Sequence, residues 1–184
     1  KYYYNLVQYN KVLNERNVVL KNKNLSEEML DIYDEQLSFY GEYVIKERLK
    51  YFEKLNYYGV QVHKDITSNK ENIEFKYQST IKDLSKIKEN FYEALKKSRK
   101  KDIEKGISTI GPHRDDFSIF INNVDIKNFG SQGQQRTAVL TIKFASLRII
   151  KEITGEYPVL LLDDVLSELD FSRKKYILST IGEI

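Results

Sequence analysis

The 184-residue sequence contains no cysteine and no tryptophan, and it has only two prolines. Without cysteine the chain can form neither disulfides nor thiolate zinc sites, and a reducing cytoplasm is the simplest compartment for it. No run of about 18 apolar residues occurs, so no membrane-spanning helix is expected. The first residues, KYYYNLVQYN, are polar and do not resemble the apolar core of a signal peptide. These absences favour a cytoplasmic protein that does not interact with membranes.

One nucleotide-binding motif is also missing. A P-loop requires the pattern G-x-x-x-x-G-K-[ST], in which a lysine directly follows a glycine. None of the eight glycines is followed by lysine, so this sequence contains no P-loop. Any phosphate site in the chain must therefore be built from other elements.

Charge and glycine are unevenly distributed along the chain. Residues 1–105 contain 21 Lys and Arg against 17 Asp and Glu, whereas the remainder contains 9 against 10. The basic excess peaks in KKSRKK, residues 96–101, a run that either attracts phosphate groups or forms a solvated helix face. Six of the eight glycines and both prolines follow residue 105. We therefore expect a mainly helical domain over residues 1–106 and an α/β domain over residues 107–184.

Apolar residues recur at helical spacing in several stretches of the sequence. They predict helices over residues 1–22, 26–57, 79–104 and 130–154, and from about residue 172. Ser26 is expected to cap the second helix, since glutamates follow it in the first turn. Gly59 and Gly106 are expected to end the second and third helices.

Alternating apolar and polar residues predict short strands. Residues 60–66 and 73–77 form a predicted hairpin within the helical domain. Residues 117–121 form another predicted strand, which Asn122-Asn123 would end in a tight turn.

The apolar run VLLL, residues 159–162, ends at two adjacent carboxylates. Such a run is typical of a parallel strand buried on both faces, and ligands of α/β folds bind beyond the carboxyl ends of these strands. Asp163 and Asp164 would repel each other there, and a divalent cation that also binds phosphate would neutralise them. The alternative is a pair of aspartates that caps the turn after the strand.

A second candidate site lies at the predicted start of the fourth helix, in FGSQGQQR, residues 129–136. Gly130, Ser131 and Gly133 leave backbone N–H groups accessible, and the helix dipole adds partial positive charge. This pattern favours an anion such as phosphate. The alternative is an ordinary serine cap with glycines in the preceding turn.

Taken together and in this order, the segments resemble the ABC-type ATPases, and within them the RecF family of DNA-repair proteins. GSQGQ, residues 130–134, resembles the signature motif, and VLLLDD, residues 159–164, resembles Walker B. SELD, residues 167–170, resembles the D-loop, and GPHRDD, residues 111–116, is also RecF-like.

The resemblance implies a fold and a position in a longer chain. Residues 107–184 would form the second half of an ABC-type ATPase head, in which helices cover a parallel sheet. Residues 1–106 would form a lid-like helical domain with a short hairpin, matched more loosely through YNKVLNERN, residues 9–17. Since the P-loop of the family lies upstream of the helical insertion, we expect an internal fragment.

The resemblance also implies roles for single residues. Asp163 would hold the Mg²⁺ of bound ATP, and Asp164, as the catalytic residue, would orient or activate the attacking water. Asp170, in the D-loop, would lie at the interface of a dimer. The residues that would contact ATP bound to a second subunit are Ser131, Gln132, Gly133 and Gln134.

Three further residues have roles that the resemblance leaves open. Arg136 would support the signature surface and is a possible phosphate contact. His113 and Arg114 could meet phosphate or DNA. The alternative for this pair is a surface turn in which Arg114 pairs with Asp115 or Asp116.

For the parent protein, the resemblance implies a slow ATPase that requires Mg²⁺ and dimerises on DNA when ATP binds. Such proteins act with RecO and RecR to help load RecA at gapped DNA. The fragment itself is expected neither to bind ATP tightly nor to hydrolyse it. An SMC-like head fits less well, because residues 1–105 lack the sustained heptads of a long coiled coil. A non-enzymatic helical module that binds a partner is a further interpretation.

Overall fold

The computed structural model describes residues 1–22, 26–161 and 174. The chain divides into two compact units, the first comprising Lys1–Lys50 with Tyr77–Asp116 and the second Tyr51–Lys76 with 117–184. These units do not coincide with the boundary at residue 106 expected from composition. The reason is that one long helix contributes residues to both units, which a linear reading of composition does not reveal. A functional division at residue 106 stays a prediction.

Helices make up most of the described residues. In chain order the elements are α1 (Tyr2–Leu20), α2 (Glu27–Thr67), β1 (Ile73–Gln78), α3 (Ile87–Lys105), β2 (Asp116–Ile121), β3 (Val124–Asp125), α4 (Ile126–Phe129) and α5 (Gln132–Thr154). None of the described helices combines the length and the apolar character needed to cross a bilayer.

The described strands form one sheet in the order β1-β2-β3. β2 and β3 are antiparallel, and the turn between them holds Asn122 and Asn123 at φ of 50° and 66°, as the Asn-Asn pattern predicts. The Asn122 amide donates to the Asn72 carbonyl, which sets the end of β2 beside the start of β1. This sheet is antiparallel, so the parallel sheet expected from the sequence is not found among the described strands.

The apolar run before Asp163 does not form the predicted buried strand over its described part. Residues 157–161 adopt no regular structure, and Val159 and Leu161 are 90% and 84% exposed. A buried strand requires neighbours on both edges, and no described strand pairs with this run. Leu162, the two aspartates and the helix predicted from residue 172 lie outside the described residues, apart from Lys174, which is helical.

Helix α2 continues beyond its predicted end at Gly59, so the hairpin predicted for residues 60–66 and 73–77 is wrong in its first half. Val62 and Ile66 are 0% and 2% exposed, at the i, i+4 spacing of one helix face. Gly59 lies inside the helix, where its missing side chain leaves room for Phe75, whose Cε2 would lie 2.7 Å from an added Cβ. The helix ends instead before Ser68, which has a positive φ.

Helix α3 begins at Ile87 rather than near residue 79. The Asp115 carboxylate accepts hydrogen bonds from the Thr80 amide at 2.7 Å and the Thr80 hydroxyl at 2.9 Å, and these hold the preceding segment out of the helix. The predicted stop at Gly106 is confirmed, with φ of 64° in the left-handed region. The cap at Ser26 is also confirmed, since its hydroxyl accepts from the Met29 amide at 3.3 Å.

Each unit has its own apolar core. In the first unit, the buried core residues are Tyr9, Val12, Leu13, Leu37, Ile45, Ile81, Ile87, Phe91 and Leu95. In the second unit, the inner face of α5 packs in two clusters. The first contains Leu55, Ile73, Phe75, Ile121, Ile126, Ala138, Ala145 and Ile149. The second contains Val62, Ile66, Leu140, Phe144 and Leu147. The second core therefore holds α5, and with it the candidate site at residues 129–136.

Candidate functional site

The turn that opens α5, residues 131–134, is fixed by a reciprocal pair of hydrogen bonds. The Ser131 hydroxyl accepts from the Gln134 amide at 3.2 Å, and the Gln134 side-chain oxygen accepts from the Ser131 amide at 3.1 Å. This capping box is the serine cap that the sequence allowed. It also leaves Ser131 and Gln132 exposed at the positive end of a 23-residue helix, where an anion is stabilised. We call residues 131–134 the signature turn.

Gly130 is required by the preceding turn. A Cβ there would lie 2.6 Å from the carbonyl oxygen of Ile126, so only glycine fits between α4 and α5. The Gln135 side chain donates to the same Ile126 carbonyl at 3.0 Å. Arg136 is exposed on the first turns of α5, next to the signature turn.

The side chain of Gln134 has a second partner, which the sequence did not suggest. Its Nε2 donates to Oε1 of Glu71 at 3.0 Å, while Oε2 of Glu71 lies 3.4 Å from Nε2 of His63. His63 is fully buried, and the Glu71 side chain is 20% exposed. The signature turn is thus connected to a carboxylate before β1 and to an imidazole on α2.

Two buried threonines connect the same turn to His63 along α5. The Thr137 hydroxyl donates to the Gly133 carbonyl at 2.7 Å, and the Thr141 hydroxyl donates to the Thr137 carbonyl at 2.9 Å. His63 Nδ1 lies 2.9 Å from the Thr141 oxygen, whose proton is already donated, so Nδ1–H is the donor in this contact. Polar residues at buried positions of an apolar helix face were the only sequence signal for this arrangement.

The loop that carries His113 and Arg114 belongs to the first unit. His113 Nδ1 lies 2.7 Å from the Tyr9 hydroxyl, and its Nε2 lies 3.1 Å from the Ser108 carbonyl, so Nε2 donates and Nδ1 accepts. Burial lowers the pKa of His113 below its usual value and raises the pKa of Tyr9. His113 is therefore a neutral side chain that anchors the loop to α1.

Arg114 is exposed, and its Nε donates to the Ser108 carbonyl at 3.3 Å. Asp115, one of the two carboxylates expected as alternative partners, instead accepts hydrogen bonds from Tyr77 and Thr80. The guanidinium of Arg114 is thus the part of this motif that a phosphate in solution can reach.

Sequence reasoning missed a buried ionic network centred on Arg16. This side chain is 0% exposed, and its guanidinium donates to Asp34 at 2.7 Å, to Asp102 at 2.8 Å and to Ser108 at 2.7 Å. Arg99 also donates to Asp34, at 2.9 and 2.7 Å. The network connects α1, α2 and α3 to the segment that leads into the His113 loop. The sequence feature that could have revealed this network is an arginine within the apolar stripe of α1.

The basic run of residues 96–101 is divided between two environments. Arg99 is 15% exposed and pairs with buried Asp34, so it does not contribute to a basic surface. Lys97 and Lys101 instead line a cleft of about 550 Å³ together with Lys82. The solvated-face interpretation therefore applies to part of the run only.

The carboxylates proposed to bind Mg²⁺ and water, Asp163 and Asp164, lie outside the described residues, as does Asp170. Within residues 1–22 and 26–161, no group of three or more acidic or histidine side chains is arranged to hold a metal ion. The geometry of the described residues therefore bears on the signature turn and on the His113 loop.

Comparison with known proteins identifies the relatives of this chain. No family model matches it. "DNA replication and repair protein RecF" of Clostridium novyi (strain NT) is 66% identical over 183 residues, which cover all of this chain and 51% of the relative. The protein of the same name from Clostridium perfringens (strain SM101 / Type A) is 70% identical over 184 residues, again 51% of its length.

A solved structure, described as "Structure of the recombination mediator protein RecF-ATP in RecFOR pathway", superposes with a TM-score of 0.87 at 42% identity. The match covers 97% of this chain and 50% of that chain. This chain spans about half the length of the curated relatives it matches. Identity of this degree over the whole chain, together with the shared fold, means that the chain belongs to the RecF family of DNA replication and repair proteins.

Proposed function

We propose that this chain supplies the signature half of a composite ATP site in an ATP-dependent DNA-binding protein of recombinational repair. The observation that supports this most directly is the exposed signature turn at the positive end of α5. The solved relative described as RecF-ATP supports a nucleotide as the ligand of the family. The chain itself contains no P-loop, so the second half of the site must be contributed by other residues.

In the proposed site, Ser131, Gln132, Gly133 and Gln134 contact the γ-phosphate of ATP that a second subunit holds. Backbone N–H groups and the helix dipole stabilise the phosphate charge without requiring a lysine. Binding of ATP between two copies then drives dimerisation. Hydrolysis removes the shared γ-phosphate and releases the dimer.

The proposed site also includes three acidic residues, whose roles rest on the sequence alone. Asp163 would hold Mg²⁺ bound to the phosphates, Asp164 would orient the attacking water, and Asp170 would join the two sites at the dimer interface. Mg²⁺ prefers such oxygen ligands and neutralises the repulsion between the adjacent carboxylates. It is the ion expected in the loaded protein.

The proposed substrate is gapped DNA, on which the protein would act with RecO and RecR to help load RecA. Arg114 is the residue of the His113 loop that we propose to meet a DNA phosphate, since its guanidinium is exposed. Arg136, exposed beside the signature turn, is a second phosphate contact. His113 would act by holding the loop through Tyr9.

ATP-dependent dimerisation of the full-length protein tests the proposal. Ser131→Arg places a long side chain on the proposed phosphate site, and we expect it to abolish dimer formation with ATP in light scattering. The matched control is Ser85→Arg, which changes an exposed serine in the other unit and should dimerise like the wild type. Undiminished dimerisation of Ser131→Arg would rule out the signature role.

A further inference from the structure

We infer that Glu71 and His63 are positioning residues, which hold the signature turn in a single conformation through two hydrogen-bond routes. This inference deepens the proposed function and rests on it, because it assumes that the turn meets the nucleotide. Neither residue belongs to the GPHRDD, signature, Walker B or D-loop segments. Both lie in the second unit with α5.

The first route runs through the amide of Gln134, which faces two different partners. Its oxygen accepts from the Ser131 amide at 3.1 Å, and its nitrogen donates to Glu71 at 3.0 Å. An ionised carboxylate only accepts hydrogen bonds, so Glu71 requires the nitrogen of the Gln134 amide to face it. The oxygen must then face Ser131. Glu71 thereby sets the amide orientation on which the capping box depends.

The second route runs through the backbone carbonyl of Gly133. This carbonyl accepts from the Thr137 hydroxyl at 2.7 Å, and the next carbonyl in the series accepts from the Thr141 hydroxyl at 2.9 Å. Thr141 in turn accepts from His63. Thr137 and Thr141 are both fully buried, so water does not compete for these bonds.

The two routes meet at His63, whose Nδ1 faces Thr141 and whose Nε2 lies 3.4 Å from Glu71. Through Nδ1–H the imidazole braces the threonine of the second route, and its contact with the carboxylate is an attraction between opposite charges only when the ring is protonated. Burial of these polar groups costs free energy that an apolar residue would avoid. In return, the polar arrangement fixes the orientation of the signature turn. This matters because a site for a γ-phosphate needs hydrogen-bond donors that are already aligned.

Hydrogen exchange of the nucleotide-free, full-length protein tests the geometry without reference to ATP. Glu71→Ala removes the carboxylate, and we expect exchange of the Ser131 and Gln134 amides, which the capping box protects, to accelerate by roughly tenfold, the effect of one lost hydrogen bond to a charged group. Glu71→Gln keeps an acceptor oxygen for Gln134 and should restore most of the protection. Glu74→Ala, on the exposed face of β1, is the control and should leave these amides unchanged.

ATP-dependent dimerisation then tests the functional consequence. Glu71→Ala should raise the half-saturating ATP concentration for dimerisation by roughly tenfold, with nucleotide affinity of the monomer unchanged, because the turn acts on ATP of the other subunit. In the Gln134→Ala background, Glu71→Ala should add nothing further, since it acts through that amide. Additive effects of the two substitutions would overturn the inference.

The two proposals fail in different ways. If Ser131→Arg and Gln134→Ala leave dimerisation intact while Glu71→Ala still accelerates exchange, the phosphate role of the turn is wrong but the positioning geometry stands. If Ser131→Arg abolishes dimerisation while Glu71→Ala changes neither exchange nor dimerisation, the positioning role is wrong. Should Glu71→Ala fail to fold by circular dichroism, Glu71→Lys replaces it as the disruptive variant, and wild-type behaviour of Glu71→Lys in both assays would likewise overturn the inference.

Discussion

At the scale of single residues, burial gives the charged and polar side chains of this protein their roles. Arg16 and Asp34 are both 0% exposed, yet each has several partners of opposite charge or complementary polarity. His113 was considered for a phosphate contact, and the structure shows a neutral ring held between Tyr9 and Ser108. Sequence position alone did not distinguish these anchors from the exposed Arg114.

Replacing Arg16 by methionine should strongly destabilise the protein. The change leaves Asp102 and Asp34 buried without their principal cation, although Arg99 still reaches Asp34. Removing one partner of a buried ion pair costs about 3–5 kcal/mol. Urea unfolding measures the loss. The control is Lys46→Met, whose exposed pair with Glu42 should contribute less than about 1 kcal/mol. Equal stability of the two variants would contradict the structural role of the network.

Stability should fall on mild acidification in a way that depends on His113. Burial lowers the pKa of this imidazole in the folded state, so the unfolded chain takes up the proton first. The stability that the neutral His113 ring contributes is fully present above the unfolded pKa of about 6.5 and is lost as pH falls below it. Urea unfolding between pH 7.5 and 5 should therefore show a shallower decline for His113→Gln than for the wild type. Parallel curves would contradict this assignment.

At the scale of elements, local pattern predicted which helices exist better than it predicted where they end. The caps at Ser26 and Ser131 and the stop at Gly106 depend on residues adjacent in sequence, and all three are found. Gly59, the predicted end of α2, instead lies inside the helix and packs against Phe75, which is sixteen residues away in sequence. A glycine that serves close packing and a glycine that stops a helix look alike in a sequence.

Gly59→Ala tests the close packing of α2 against Phe75. Helix propensity alone predicts stabilisation of up to about 1 kcal/mol. Because the added Cβ would meet the Phe75 ring at 2.7 Å, we expect destabilisation of about 1–3 kcal/mol instead. Thermal unfolding measures the change, and the cost should shrink in a Phe75→Leu background. A more stable Gly59→Ala protein would show that the ring moves aside freely.

At the scale of the whole molecule, the signature turn lies in one compact unit and the ionic network centred on Arg16 lies in the other. Within the second unit, His63 on α2 contacts Thr141 on α5, the helix that begins at the signature turn, although 78 positions separate the two residues in sequence.

The 184-residue chain by itself should show no ATP turnover. It contains no P-loop, so neither a lysine nor a glycine-rich loop surrounds the β- and γ-phosphates. Phosphate release with Mg²⁺ and ATP should stay at background, whereas the full-length protein should turn over ATP and lose this activity in Asp164→Asn. Metal-dependent turnover by the chain alone, abolished by the same substitution, would contradict the prediction.

Motif content, helix caps and family resemblance could be read from the linear sequence, because each depends on residues close together in the chain. The signature turn at residues 131–134 was among these features. The long-range pairings could not be read in that way: Gln134 with Glu71, Arg16 with Asp102, and Gly59 with Phe75. Their partners are distant in sequence and meet only when the helices pack, and packing is also what buries these groups and makes each hydrogen bond or contact matter.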